Sequence, residues 1–469
     1  MNNRFKNVFK APSLLAACLI ISQPVFSDQE KIKDQIQKLE VSYKSLSSVF
    51  YKDVKSYSIE SLNEISDIDE LLRNVNKLND SNQSIAAIQL IYFNIQTVKE
   101  NLDTKAVFKI VELLLDKNEW NLANSLFKEI KNEGDKSLLN TVQFIFAKYH
   151  AQRNEWPQVH KLLKGIITEL SEENAAYALL LNGSALQHLK MHRQAVENYK
   201  KVKPTSQYYS YAQLNTAIAN IRQGWWTDAQ TKIHDLIAQY NKTNEDELTN
   251  RLYLVLGYAL LQREYYRDAR DAFRHIGLES RYTNRALLGI GLTATSQGDF
   301  VGGLNALTIL KNKKTSDLSV DESYLLVPYV YEKLQQELTV TTTYTEAMNY
   351  YQRRSSNLEK ISSKHADFKK LIYNPETSSF IVENNNFDYK NRYPESFINN
   401  YKRLNEFKTV VKNKNIKNKI DNLIKRFDNT YQQVIADLAN QRNEYLKSYL
   451  NQSRYGLARL YDNTKETNN

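Results

Sequence analysis

At 469 residues the chain exceeds what one hydrophobic core usually serves, so several domains or an elongated repeat array are expected. Twelve Gly and seven Pro over that length suit long helices and argue against an all-β chain full of tight turns. The formal charge of +10 is moderate for the size, and the 31 Tyr read as packing between helices rather than as a stacking platform.

Residues 1–27 read as a targeting segment. Arg4, Lys6 and Lys10 make a basic start, Leu14–Ile21 an apolar run, and Val25, Phe26 and Ser27 a cleavage site before Asp28. No later stretch approaches the roughly 20 apolar residues of a membrane helix. The expectation is an exported, periplasmic protein cleaved after Ser27, without a transmembrane span in the mature chain. A competing reading takes Leu15, Ala16, Ala17 and Cys18 as a lipoprotein box with Cys18 lipidated, but the apolar run continues past it through Ile21. Cys18 is the only cysteine, so cleavage after Ser27 leaves no disulfide to make.

Residues 28–100 form an N-terminal helical region. Ile32, Ile36, Leu39, Tyr43, Leu46 and Phe50 recur at alternating steps of 4 and 3, a heptad seam. It fits either a cap laid on the first repeat or a coiled coil joining two copies. A degenerate helical pair follows at about Asp67–Leu78 and Ser84–Lys99.

From 101 to 373 a repeat is regular. The small positions pair as Val111/Ala123, Ala147/Val159, Gly183/Ala195, Ala217/Ala229, Gly257/Ala269 and Gly291/Gly303, always twelve apart. An aromatic residue precedes each second marker by three: Trp120, Trp156, His192, Trp226, Tyr266 and Phe300. A turn residue, Asn118, Asn154, Gly224 or Gly298, lies two before that aromatic in four of the six. A seventh unit is expected at Ser323–Leu334 and Glu346–Ile361, with Gln335–Tyr344 as an insertion in the loop between its helices. Residues 374–394 read as a linker, and 395–469 as a long helical region whose apolar face runs from Ile416 to Tyr449. That region either folds back along the array or pairs between copies.

These markers, best seen in Tyr253–Ile276, resemble the tetratricopeptide (TPR) repeat, W-x2-L-G-x2-Y followed by A-x3-F with a period of about 34 residues. Successive first markers here lie 36, 36, 34, 40 and 34 apart. Tyr253 stands for the Trp, Leu260 for the Tyr, and the trailing Pro is missing. The ending Gln452–Asp462 is also similar to the close of exported TPR proteins of Gram-negative bacteria. The resemblance implies an all-α fold, a TPR-like α-solenoid of helical hairpins followed by a long, coiled-coil-like C-terminal extension. It further implies a groove lined by first-helix positions, which here include Tyr177, Gln187, His188, Tyr211, Arg222, Arg251, Tyr258, Gln262 and Arg285.

Chemistry for catalysis is not found. His188 and His192 sit four apart with no third ligand nearby, and His192 is its repeat's aromatic position. Gly289, Ile290 and Gly291 mimic a dinucleotide loop but fall inside a repeat helix. There is no Walker-type lysine, no serine elbow and no isolated acidic pair, so neither an enzyme nor a cofactor nor a metal is expected. Lys402–Arg426 is the densest charge feature, with Lys402, Arg403, Lys412, Lys419 and Arg426 among nine basic residues against Glu406 and Asp421. It reads as a solvated face or as a surface for an anionic partner, nucleic acid being disfavoured by the export signal. The function expected is a non-enzymatic scaffold binding a protein partner in a cell-envelope assembly. The alternatives are a structural coiled-coil oligomer and a protein associated with peptidoglycan or another anionic surface.

Overall fold

A computed structural model describes residues 24–53, 63–133, 136–240, 246–314, 317–363, 372–374, 379–382, 385–388 and 393–466. The basic start, the apolar run and Cys18 lie outside them, while Val25, Phe26 and Ser27 of the expected cleavage site fall in the first turn of α1. The chain opens with α1 (Pro24–Lys52). Helical hairpins follow: α2 (Ile68–Asp80) with α3 (Ser84–Phe93) and its continuation α4 (Ile95–Glu100), α5 (Lys105–Asp116) with α6 (Trp120–Glu133), and α7 (Lys136–Gln152) with α8 (Trp156–Leu163). Next come α9 (Glu172–His188) with α10 (His192–Lys200), α11 (Tyr209–Gln223) with α12 (Trp226–Tyr240), and α13 (Asp246–Gln262) with α14 (Tyr266–Arg274). The last two hairpins are α15 (Thr283–Ser296) with α16 (Phe300–Lys311) and α17 (Leu318–Lys333) with α18 (Glu337–Ser363). A small antiparallel sheet of β1 (Ile372–Asn374), β2 (Ser379–Val382) and β3 (Asn385–Asp388) precedes α19 (Glu395–Val410) and α20 (Lys414–Glu466). The fold is therefore an all-helical solenoid of hairpins with a helical C-terminal extension.

One turn is used throughout. The first helix of each hairpin ends in a left-handed residue: Asn82, Asn118, Asn154, Lys190, Gly224, Glu264, Gly298 and Gln335, with φ between 57° and 81°. Each time the next amide reaches back five residues, as from Glu119 to the Leu114 carbonyl or from Tyr265 to Leu260. The left-handed residue's own amide closes the inner bond, as from Asn118 to Leu115. This double closure satisfies carbonyls that a helix end leaves without partners. The residue two after the left-handed one then starts the second helix, which is why the six aromatics open α6, α8, α10, α12, α14 and α16.

The last hairpin corrects the sequence reading. Gln335 makes the standard turn, α18 begins at Glu337, and Thr341, Thr342 and Thr343 lie inside it with their hydroxyls bonded to carbonyls of the preceding turn. No insertion interrupts this hairpin. The expected linker is also more ordered than its composition suggests, since Tyr373 pairs opposite Phe380 and Phe380 opposite Phe387 across the strands.

Packing between hairpins explains the small residues. A Cβ added at Gly257 would stand 2.5 Å from the Phe273 ring, and one at Gly289 would strike the opposite edge of the same ring. Phe273, fully buried, is thus clamped between α13 and α15, a close approach that only residues without a side chain permit. Gly257 thus faces the Phe273 ring, and Ala269 is itself fully buried. In the next hairpin the two markers do meet, a Cβ on Gly303 lying 3.2 Å from the Gly291 carbonyl oxygen. Burying one ring of this kind contributes roughly 1.5–3 kcal/mol.

The chain divides into two compact units: an amino-side unit of residues 34–232 and 392–430, and a carboxy-side unit of 1–33, 233–391 and 431–469. In the first, cores such as Phe144, Ala147, Val159, Leu163, Ala178 and Leu181 join α7, α8 and α9. In the second, Leu287, Leu307, Leu310, Val320 and Val327 join α15, α16 and α17.

Candidate partner-binding surface

In the amino-side unit, α9 and α11 each leave one stripe incompletely covered. Tyr177, Ser184 and His188 mark it on α9, and Tyr211, Asn215, Ile218 and Arg222 on α11. Tyr177 stacks on Tyr208 with ring centroids 4.8 Å apart, while Tyr211 is 49% exposed. His188 lies flat on Trp156 at 4.3 Å, the stacking partner that the aromatic at the start of α8 requires. Burial, then the nearby Arg222 guanidinium, push the His188 and His192 imidazoles below their ordinary value. The two do not share a helix: His188 ends α9 and His192 begins α10 after the turn. Gln187 is not a surface group. It is 9% exposed, and its Nε2 donates to the Asn215 carbonyl at 2.7 Å, tying α9 to α11.

In the carboxy-side unit, Arg251, Val255, Tyr258 and Gln262 form the corresponding stripe on α13. The Tyr258 hydroxyl donates to the Arg285 carbonyl at 2.9 Å, and the exposed Arg285 guanidinium sits 5.5 Å over its ring. Tyr258 thus supplies a face rather than a hydroxyl. Farther along, a shallow cleft of about 480 Å³ is lined by Tyr324, Thr342, Thr345, Glu346, Asn349 and Arg353, with Tyr350 stacked on Tyr324 at 3.7 Å.

This unit already holds a helix. The stretch Tyr431–Glu466 of α20 packs on α17 and α18, burying Leu438, Leu446 and Leu450. At its centre the Arg442 Nε and Nη2 donate to Asp321 Oδ2 at 3.0 and 2.7 Å, both side chains buried. The Tyr350 hydroxyl donates to the other carboxylate oxygen at 2.6 Å. Ser355 donates to Asn443 at 2.6 Å, Arg459 pairs with Glu332, and Gly456 packs against the Tyr344 ring. In the amino-side unit α1 and α19 cover the turns of the first hairpins. Phe407 of α19 stacks on Phe50 at 3.9 Å and meets Tyr51 edge-on at 5.3 Å. The Asn118 side chain joins Glu40 of α1 at 3.2 Å, Asn400 of α19, Tyr149 and Arg153. The heptad seam of α1 is engaged within the chain.

Comparison with family models finds no match, and comparison with curated proteins finds none. Solved structures do align. A tetratricopeptide repeat protein from Parabacteroides merdae matches at 12% identity over 53% of this chain and 92% of its own, with a TM-score of 0.38. A Rap protein complexed with Competence and Sporulation Factor matches at 13% identity over 76% of this chain and 99% of its own, with a TM-score of 0.31. The P58(IPK) TPR domain matches at 13% identity over 69% of this chain and 93% of its own, with a TM-score of 0.21.

The basic stretch needs one correction. Arg403 is 8% exposed, bonded to Ser84 and to Glu406, so it holds α19 on the array instead of facing a partner. Lys402, Lys412, Lys419 and Arg426 are exposed, Arg426 donating to Ser42 of α1 at 3.3 Å. Sequence reasoning missed Glu119, which lies in the turn before α6 and is 1% exposed. Burial pushes its carboxyl up to about 7, against the hydroxyls of Ser47 and Tyr92 that donate to it. Glu322 on α17 is likewise raised by burial to about 7. Nothing in the residue pattern marks either, because their surroundings come from helices remote in sequence. Among the described residues no group of three or more His, Cys, Asp or Glu could hold a metal ion. No helix among them is long and apolar enough to cross a membrane.

Proposed function

We propose that the chain is a non-enzymatic interaction scaffold of the tetratricopeptide type, exported to the periplasm. It holds a helical or extended protein partner in an envelope assembly. The observation that carries this reading is α20 itself: its Tyr431–Glu466 stretch lies on α17 and α18 by an apolar row flanked by paired charges, the chemistry of helix-in-groove recognition. Hairpins that bind a helix of their own chain have the shape to bind another. The stripes carrying Arg222 in one unit, and Arg251 and Arg285 in the other, favour a segment with carboxylates. A preformed hairpin stack orders little of itself on binding, so the partner bears most of the entropic cost. The basic start and apolar run of residues 1–27 support export.

Pull-down from envelope extract with residues 28–469 is expected to retain a partner. Charge reversal at Arg222, Arg251 and Arg285 is expected to release it, and undiminished retention by that triple variant would remove the stripes from the proposal. The N-terminal residue of the periplasmic protein is expected to be Asp28. The rival structural oligomer is disfavoured because Tyr43 and Phe50 of the α1 seam and Leu446 of α20 are already buried within the chain. Light scattering should give a monomer at micromolar concentration.

A further inference from the structure

In the amino-side unit, α1 and the first turns of α20 run antiparallel side by side. Asn413 donates to Asp53 at 2.9 Å at one end of this pair, and Arg426 to Ser42 at the other. The inward row of α20, Ile416, Ile420, Leu423 and Phe427, is buried, which turns Lys414, Lys419, Lys425 and Arg426 outward. Beside them Val41, Ser45 and Val49 form one outward stripe of α1, the valines 64% and 43% exposed, with Lys52 at its end. Nearby carboxylates are engaged elsewhere: Glu406 by Arg403, Asp421 by Lys408 at 2.7 Å, Asp34 by Lys38 at 2.6 Å, and Asp428 by the Tyr401 hydroxyl. Among the described residues no ion pair joins Lys52, Lys414, Lys419 or Lys425 to a carboxylate.

We infer that this two-helix face docks on the surface of a bilayer containing anionic phospholipid. Three features select a lipid surface over a folded acidic protein. Two antiparallel helices side by side present a plane rather than a groove. The cations are mostly lysines, strongly hydrated point charges suited to a diffuse field and poorly suited to bidentate recognition of carboxylates. The exposed valines between them are short apolar groups that enter the headgroup layer without a pocket to receive them. Each lysine or arginine held at an anionic surface raises partitioning about five-fold.

The test is flotation of residues 28–469 with vesicles of phosphatidylcholine alone or mixed with phosphatidylglycerol. Binding is expected only to the mixed vesicles, and it should fade as salt shortens the reach of the surface charge. The variant Lys419→Glu/Lys425→Glu/Arg426→Glu, its folding checked by circular dichroism, is expected to lose at least about 100-fold in partitioning. Independently, Val41→Trp should shift its added fluorescence to the blue on the mixed vesicles and not on the neutral ones. No flotation, equal flotation with neutral vesicles, or full binding by the triple variant would overturn the inference. So would capture of polyglutamate by a protein that ignores the vesicles, which would assign the face to an acidic polypeptide.

Discussion

Lys190, Glu264 and Gln335 hold backbone angles that L-residues adopt at a penalty, with φ of 62°, 64° and 57°. A left-handed residue with a side chain costs roughly 1–2 kcal/mol, part of which a glycine recovers. Replacing each by Gly should therefore raise stability by up to about 1 kcal/mol in urea melts, whereas Gly224→Ala or Gly298→Ala should lower it by about as much. At Phe273 the reverse holds, because Gly257→Val drives a methyl-bearing carbon into the ring and should cost about 1–3 kcal/mol. Glu119 makes stability depend on pH. Its folded value of about 7 stands above the ordinary carboxyl value of 4.5, so between those limits the folded chain binds more protons and stability falls as pH rises. The contribution is fully present below the lower value and lost once pH passes about 7. Glu119→Gln should flatten the wild-type slope by about 1 kcal/mol per pH unit in that window. Four of the turns could be read from sequence because Asn and Gly tolerate the left-handed region. Those at Lys190, Glu264 and Gln335 could not, since nothing in those side chains favours it.

The hairpins were legible as elements because two markers and an aromatic recur at fixed offsets, and the aromatic falls on the first residue of α6, α8, α10, α12, α14 and α16. Where the offsets failed, so did the reading. The threonines of α18 suggested a loop, yet their hydroxyls bond back to carbonyls four residues earlier and the helix absorbs them. The three strands near residue 380 were illegible for another reason, each being only three or four residues long and too short to show a period. The sharpest dependence at this scale is the buried Asp321–Arg442 pair. Asp321→Ala removes the carboxylate to which the buried Arg442 Nε and Nη2 both donate and should cost about 3–5 kcal/mol, while the double change Asp321→Asn/Arg442→Met should cost much less. Hydrogen exchange would localise the loss to amides of 431–466.

For the molecule as a whole, periodicity announces that a helix has an apolar face but does not say what covers it. The seam of α1 fitted a cap or a partner copy, and the stacking of Phe407 on Phe50, with the Glu40–Asn400 contact, engages it with the chain's own α19. The same ambiguity in α20 resolves through Arg442, Asn443 and Arg459, none of which stands out in sequence. Ending the chain after Thr430 should bare the side of α17 and α18 that Leu438 and Leu446 now cover. Dye binding and self-association above the level of the intact protein are the expected outcomes by fluorescence and light scattering. If the truncated chain stays monodisperse and dark, α20 contributes less than its burial implies.

The bond from Asn400 to Glu40 joins residues 360 apart. During synthesis the aromatic pocket of α1 therefore waits, unfilled, until nearly the entire polypeptide has left the ribosome. A nascent chain held open in this way stays threadable. Under the export proposed above, that delay would leave the cap of the early hairpins open before passage and close it only on the far side.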